Sequence, residues 1–176
     1  MVIEEANLSD VPDLIELQYR AYQSEAALHD DWSIPPLSET AYDMGLAFTE
    51  NYFTKVIQDG RIVGSGRAKL ADGQCFISKM AVEPELRGRG IGSCILRHLE
   101  SRFTAVREFT LFTGEKSERN LKMYKNRGYR EIDARLWVKR LSSTCENLPN
   151  QSRQRQILAV TPSDHHKGLV KYKPLI

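Results

Sequence analysis

The spacing of apolar and polar residues predicts a strand and two helices at the start of the chain. Residues 2–6 have the composition of a short strand, and residues 7–10 offer a weak capping box ahead of a helix. Apolar side chains then recur at helical spacing over residues 11–22. The prolines at 35–36 exclude a helix there, because proline lacks an amide hydrogen and restricts its neighbour. A second helix is therefore expected from Ser38, its cap, to Thr49.

The middle of the chain has the pattern of an antiparallel meander. Strands are predicted over residues 52–57, 62–70 and 74–82. The dipeptides Asp59-Gly60 and Asp72-Gly73 separate them, and both are strong signals for tight turns because these residues tolerate positive φ. Three consecutive strands joined by such turns form one sheet.

A glycine-rich turn and a mixed α/β pattern follow the meander. The third strand ends at Glu83-Pro84, the turn covers residues 86–92, and an apolar helix face follows from Ile91 to Phe103. The last predicted elements are a strand over 109–112, a helix over 117–126 ended by Gly128, and strands over 129–132 and 135–141. The order β-α-α-β-β-β-α-β-α-β-β is typical of a mixed α/β fold.

Composition narrows the class of protein. The chain has 176 residues, 41% of them hydrophobic, and a formal net charge of +2. This size fits one domain, and the near-neutral charge argues against a dedicated nucleic-acid binder. The sequence has neither an apolar run long enough to span a bilayer nor a signal peptide, so we expect a cytoplasmic protein without membrane contact. Its three cysteines form neither a disulfide framework nor a metal-ligand spacing, and we predict no metal.

The glycine-rich turn is a candidate anion site. A strand, a glycine turn and a helix N-terminus direct backbone N–H groups and the helix dipole to one point, and Arg87 and Arg89 add positive charge. A plain tight turn is the alternative. The P-loop pattern is absent because no Gly-Lys-Ser/Thr run occurs, and the dinucleotide fingerprint fails because Ser93 stands at its third glycine position.

The turn resembles the acetyl-CoA loop of the GNAT superfamily of N-acetyltransferases. Arg87, Gly90 and Gly92 meet the family pattern Arg/Gln-x-x-Gly-x-Gly/Ala, and residues 124–129 are similar to its second signature, Tyr-x-x-x-Gly-aromatic. The resemblance covers roughly residues 1–141. It implies a GNAT-like α/β fold, with a central mixed, mostly antiparallel sheet of about 6–7 strands flanked by about 4 helices. Residues 142–176 are then a C-terminal extension, which we expect to be loosely ordered.

The resemblance also implies acetyl-CoA as co-substrate and a set of residues that bind it. Backbone groups of one strand end would contact the pantetheine arm, with Asn120 or Ser117 on its other side, and Tyr124 would direct its hydroxyl at the sulfur as general acid. The strand-end residues are Met80, Ala81 and Val82. The residues implied at the pyrophosphate are Arg87, Gly88, Arg89, Gly90, Ile91, Gly92 and Ser93. Many family members have Asn in place of Ser117.

The implied reaction is direct transfer of an acetyl group, within a ternary complex, to a primary amine of a small molecule or to an exposed amino group of a peptide. Some family members carry a glutamate base where this chain has Phe76, so the base is unassigned. A non-catalytic acyl-CoA sensor or interaction module of the same fold is the alternative. A structural domain whose glycine turn binds no phosphate is a third reading.

Candidate acceptor residues lie at the end of the first predicted helix and just beyond it. The carboxylates there would attract a cationic amine, the aromatic rings would stack on it, and His29 could serve as a base. The candidates are Tyr22, Glu25, His29, Asp30, Asp31 and Trp32. The alternative is a solvated helix end with an aromatic plug. The sequence leaves the oligomeric state open, a homodimer included.

Overall fold

A seven-stranded mixed sheet runs through the part of the chain that this computed structural model describes, residues 1–132 and 154–160. The spatial order is β1-β2-β3-β4-β5-β7-β6. Neighbours from β1 to β4 are antiparallel, whereas β4–β5, β5–β7 and β7–β6 are parallel. The strands are β1 (Val2–Glu5), β2 (Tyr52–Gln58), β3 (Arg61–Ala71), β4 (Gln74–Val82), β5 (Glu108–Gly114), β6 (Arg130–Ile132) and β7 (Gln154–Val160). The predicted mixed α/β fold is thereby confirmed.

Helices cover both faces of this sheet. They are α1 (Val11–His29), α2 (Pro35–Ser38), α3 (Ala41–Ala47), α4 (Ile91–Arg102) and α5 (Glu118–Asn126). Adjacent residues of β3 point to opposite faces: Gly66 approaches Ile95 of α4, whereas Arg67 donates to Glu39 just after α2. The α4 side and the α1–α3 side are therefore the two layers over the sheet.

The helix at the two prolines differs from the sequence prediction. Pro35 and Pro36 begin α2, where they occupy the first helical turn, and a missing amide hydrogen costs nothing at that position. The next helix begins at Ala41 rather than near Ser38, because Thr40 and Asp43 form its capping box. The predicted box of Asn7 and Asp10 is confirmed, although it caps a short 3-10 turn directly before α1.

The sheet opens between β4 and β5. These strands pair only from Gln74 to Ile77 and from Glu108 to Leu111. A bulge follows in β4, since Ser65 pairs with Ala81 and Arg67 with Ser78, which leaves two residues of β4 opposite Gly66. The first of these, Lys79, has a φ of 46°, a left-handed conformation that is uncommon for residues other than glycine. The bulge bends β4 away from its parallel neighbour.

The C-terminal part of the described chain joins the sheet. Residues 154–160, expected in a loosely ordered extension, form β7 between β5 and β6. A buried carboxylate on α4 holds this end of the sheet, because Glu100 accepts hydrogen bonds from Tyr129 Oη at 3.0 Å and from Arg155 Nε at 3.1 Å. The predicted strand over residues 135–141 lies outside the described residues.

Close packing of β3 against α4 generates a stability prediction. A Cβ built on Gly66 would lie 2.8 Å from Ile95 Cγ2 and 3.2 Å from Met80 Cγ, so we expect Gly66→Ala to lower the free energy of unfolding by about 1–3 kcal/mol. Gly45→Ala in α3 is the matched control, because that Cβ meets nothing within 4 Å and should stabilise the helix by about 0.5–1 kcal/mol. Urea denaturation measures both. Equal stabilities of the two variants would contradict the packing argument.

Candidate active site

A cleft of about 1190 Å³ lies where β4 and β5 separate, between α1, the glycine turn and α5. It brings most of the predicted site residues together. Those that line it are Tyr22, Glu25, His29, Asp31, Met80, Val82, Arg87, Gly88, Gly90, Ile91, Gly92, Ser93, Ser117, Asn120 and Tyr124. Coenzyme and acceptor candidates, which lie far apart in sequence, therefore share one cavity.

Four predicted residues lie outside the lining of this cleft. Asp30 ends α1 in a left-handed conformation with φ 51°, so the chain reverses there and the Asp30 side chain is exposed. Trp32, which follows this reversal, is 61% exposed, and Arg89 is exposed too. The side chain of Ala81 is buried against α1. The predicted acidic and aromatic acceptor cluster is thus divided, with only part of it facing the cleft.

The glycine turn has the conformation of an anion site. Gly88 and Gly90 adopt φ values of 85° and 83°, and the space around Gly90 is open, since a Cβ there would meet nothing within 4 Å. Gly90 is the N-cap residue of α4, and no side chain caps the helix. The first-turn amides of Ile91, Gly92 and Ser93 have no acceptor within the helix. Together with the helix dipole they suit a diphosphate.

The side chain of Arg87 ties the glycine turn to α1. Its guanidinium donates to Ser24 Oγ at 2.7 Å and to the carbonyl oxygen of Ala21. A second arginine connects the same elements in the opposite direction, because Arg20 of α1 forms a two-pronged ion pair with Glu83 at the end of β4, with N···O distances of 3.1 and 2.9 Å. Its backbone N–H donates to the carbonyl oxygen of Pro84 at 3.3 Å. The predicted contribution of Arg87 to the anion site is therefore not seen in this structure, where its side chain and its amide bond to other groups of the protein.

Tyr124 points its hydroxyl at the strand end of β4. Its ring is buried, and the hydroxyl donates a long hydrogen bond to Met80 Sδ at 3.9 Å. Burial raises the pKa of Tyr124, and the nearby Glu25 carboxylate raises it further, so the phenol stays protonated near neutral pH. The residue is therefore a hydrogen-bond donor inside the cleft.

Ser117 contacts α1. Its hydroxyl donates to Glu25 Oε1. His29, which follows Glu25 by one turn of α1, places Nε2 3.5 Å from the same oxygen. Gly114 makes room for this arrangement, because a Cβ there would collide with His29 Nε2. Burial raises the pKa of Glu25, while the charges of His29 and Arg87 oppose the shift. Asn120, on the next turn of α5, also lines the cleft.

The comparison with protein families identifies this architecture. The model of the acetyltransferase (GNAT) family matches residues 11–129. The chain belongs to the GNAT family of acetyltransferases. No curated protein matches the chain. The family match spans the first helix, the glycine turn and the segment that ends at Tyr129, and thus all the predicted site residues.

Solved structures share this GNAT fold. A GNAT-family acetyltransferase from Staphylococcus aureus Mu50 has 23% identity and a TM-score of 0.63, over 74% of this chain and 85% of its own. The ribosomal-protein-S18-alanine N-acetyltransferase of Escherichia coli has 15% identity and a TM-score of 0.60, over 72% of this chain and 76% of its own. A phosphinothricin acetyltransferase from Sinorhizobium meliloti, in complex with acetyl-CoA, has 20% identity and a TM-score of 0.59, over 72% of this chain and 73% of its own. No helix in the described ranges could reach across a bilayer.

A buried charge cluster of this GNAT domain was missed from the sequence. Lys79 lines the cleft and donates to Glu39 Oε2 at 2.8 Å, and Arg67 donates to Glu39 Oε1 at 2.9 Å. Gln18 of α1 completes the cluster with a bond of 2.8 Å to Glu39. Burial lowers the pKa of Lys79 to about 8. The only sequence signal was a lysine within the apolar run of β4.

The buried lysine generates a pH prediction. The pKa of Lys79 falls from 10.5 to about 8 on folding, so between these pH values the unfolded chain binds more protons and stability rises with pH. From pH 8 to 10.5 the free energy of unfolding of the wild type should therefore rise, relative to that of Lys79→Met, by on the order of 3 kcal/mol at most. Urea denaturation at a series of pH values measures the difference. Lys125→Met is the control for the loss of a surface lysine. A difference in unfolding free energy between wild type and Lys79→Met that does not change with pH would contradict the prediction.

Proposed function

We propose that this protein is an acetyl-CoA-dependent N-acetyltransferase that transfers an acetyl group directly to a primary amine. The main support for this proposal is that the uncapped N-terminus of α4 opens into the same cleft as the protonated hydroxyl of Tyr124. One end of the cleft suits a diphosphate and the other suits a reacting centre. The complex of acetyl-CoA with the related phosphinothricin acetyltransferase supports the choice of co-substrate.

The residues present fit acetyl-CoA along its length. Backbone amides of residues 88–93 would hold the pyrophosphate, since the space at Gly90 admits a phosphate close to the main chain. Backbone groups of residues 80–82 would pair with the pantetheine amides, because β4 has no strand neighbour on that side in the described ranges. Asn120 is the proposed side-chain contact, as the Ser117 hydroxyl already donates to Glu25. Acetyl-CoA supplies an acetyl group activated as a thioester.

The chain's own groups then assist the transfer. A main-chain N–H near Val82 would stabilise negative charge on the acetyl oxygen, and Tyr124 would donate a proton to the departing sulfur. The described lining of the cleft includes no cysteine that could carry the acetyl group. Cys75 is fully buried, and burial raises its pKa to about 12, so its thiol stays protonated. These features support direct transfer between two substrates held together.

Coenzyme binding is tested at Gly90. Gly90→Glu should abolish acetyl-CoA binding in calorimetry, because a side chain with negative charge would occupy the proposed phosphate position. Gly60→Glu is the matched control, since Gly60 also has a positive φ of 72° and open space around it, but lies in the β2–β3 turn. Equal acetyl-CoA affinities of the two variants would refute the phosphate site.

The donor role is tested at Tyr124. Tyr124→Phe should lower kcat about 100-fold while leaving acetyl-CoA affinity nearly unchanged, because the variant loses only the hydroxyl near the sulfur. Tyr52→Phe is the control, as its hydroxyl binds His98 at 3.0 Å outside the cleft. Steady-state kinetics by release of free thiol measures both, and a kcat equal to that of the control would exclude the role.

The class of acceptor is found by a turnover screen. Polyamines, amino acids, aminoglycosides and peptides with free N-termini are each incubated with the protein and acetyl-CoA, and thiol release is followed. Turnover with at least one amine is the expected result. Tight acetyl-CoA binding without turnover on any amine would instead identify a coenzyme-binding sensor.

A further inference from the structure

Proton removal from the acceptor is the step of the proposed reaction that still lacks a residue. An amine attacks a carbonyl only in its neutral form, so an acceptor that arrives as an ammonium ion must first lose a proton. The resemblance to the GNAT family implies that Phe76 on β4 stands where some members carry a glutamate base, and a phenyl ring cannot accept a proton. A base must come from another element that faces the cleft.

The carboxylate of Glu25 meets the geometric requirement. It projects from α1 into the cleft with 21% of its side chain exposed, and it lies near Tyr124, whose pKa it raises. The proposed acid and this carboxylate thus line the same cleft and lie close enough to interact electrostatically. Amine acylation needs a base for the amine and an acid for the departing sulfur within one site, and this cleft holds a candidate for each.

Two neighbours lie against this carboxylate. Ser117 donates its hydroxyl to Oε1, and His29 lies 3.5 Å from the same oxygen. The side chain of His29 is only 5% exposed, and Nε2 has no hydrogen-bond partner within the described chain. The imidazole lines the cleft but is much less accessible to a substrate than the carboxylate is. Of the pair, Glu25 is the group that an acceptor can reach.

Other acidic groups of the cleft are poorer candidates. The Asp31 carboxylate accepts two hydrogen bonds from Ser33, one from the backbone at 2.9 Å and one from the hydroxyl at 2.6 Å, so it is committed to a turn. Glu115 and Glu118 are exposed to solvent at the outer rim. Neither rim residue lies beside Tyr124 in the way that Glu25 does.

We propose that Glu25 is the general base of the acetyl transfer, and that Ser117 and His29 are positioning residues for its carboxylate. This assignment rests on the proposed function. Glu25 accepts one proton from the ammonium nitrogen and passes it to solvent. The neutral nitrogen bonds to the acetyl carbon as the C–S bond breaks. The thiolate takes a proton from Tyr124, which regains one from the acetylated nitrogen.

The first experiment compares Glu25→Gln with Glu16→Gln, a matched change on the same helix, where Glu16 is 73% exposed. Acetyl-CoA affinity should be unchanged in both variants. For an amine accepted by the wild type, kcat/KM of Glu25→Gln should fall about 100-fold at pH 7, and that of Glu16→Gln should not change. Activity of Glu25→Gln should keep rising with pH, because only the amine's own deprotonation then supplies the nucleophile. Equal kcat/KM and pH profiles for the two variants would overturn the assignment.

The second experiment adds a readout that is independent of turnover, the pKa of the Glu25 carboxyl, and compares it with the pH profile. The side-chain carboxyl of Glu25 is titrated by carbon NMR in the free wild-type protein and in Ser117→Ala, which leaves His29, Arg87 and Tyr124 unchanged. Loss of the donated hydrogen bond should raise the pKa of Glu25 and move the acid limb of kcat/KM to higher pH by the same amount. If the carboxyl pKa moves and the acid limb does not, Glu25 is not the base. Failure of the wild type to bind acetyl-CoA would instead refute the proposed function itself.

Discussion

The separation of β4 from β5 is the constraint on which the site depends. Parallel pairing stops at Ile77 and Leu111, and the bulge at Lys79 turns the rest of β4 away. A strand edge buried without a partner would leave backbone N–H and C=O groups without hydrogen bonds, at a cost of about 1–3 kcal/mol for each group. An opened cleft exposes this edge to water or to a ligand that carries amide groups. The candidate binding surface thus lies where the hydrogen-bond ladder between β4 and β5 ends.

Local signals predicted most of the elements that build this cleft. The bounds of β4 agree with the predicted range, and the turn signals at Asp59-Gly60 and Asp72-Gly73 lie at positions with positive φ. Gly128 follows α5 with a φ of 83°, as expected for a residue that ends a helix. Each of these features depends on a few neighbouring residues, so each could be predicted from a short stretch of sequence.

Features that depend on distant residues could not be predicted this way. The bulge at Lys79 follows from pairing with β3, and the ion pair of Lys79 with Glu39 joins residues that have no common pattern in sequence. Strand β7 likewise pairs with β5, which lies much earlier in the chain, and its Arg155 meets Glu100 on α4. The acceptor candidates were divided for a similar reason, because the left-handed Asp30 turns Trp32 to solvent while Glu25 stays in the cleft.

Helix α1 connects the two ends of the site. Arg20 pairs with Glu83 just before the glycine turn, and Arg87 of that turn donates back to Ser24, the residue directly before Glu25. A bidentate ion pair fixes orientation as well as distance, so α1 cannot slide along β4 without breaking it. The proposed base is therefore held in register with the proposed diphosphate site by the same side chains that attach the helix.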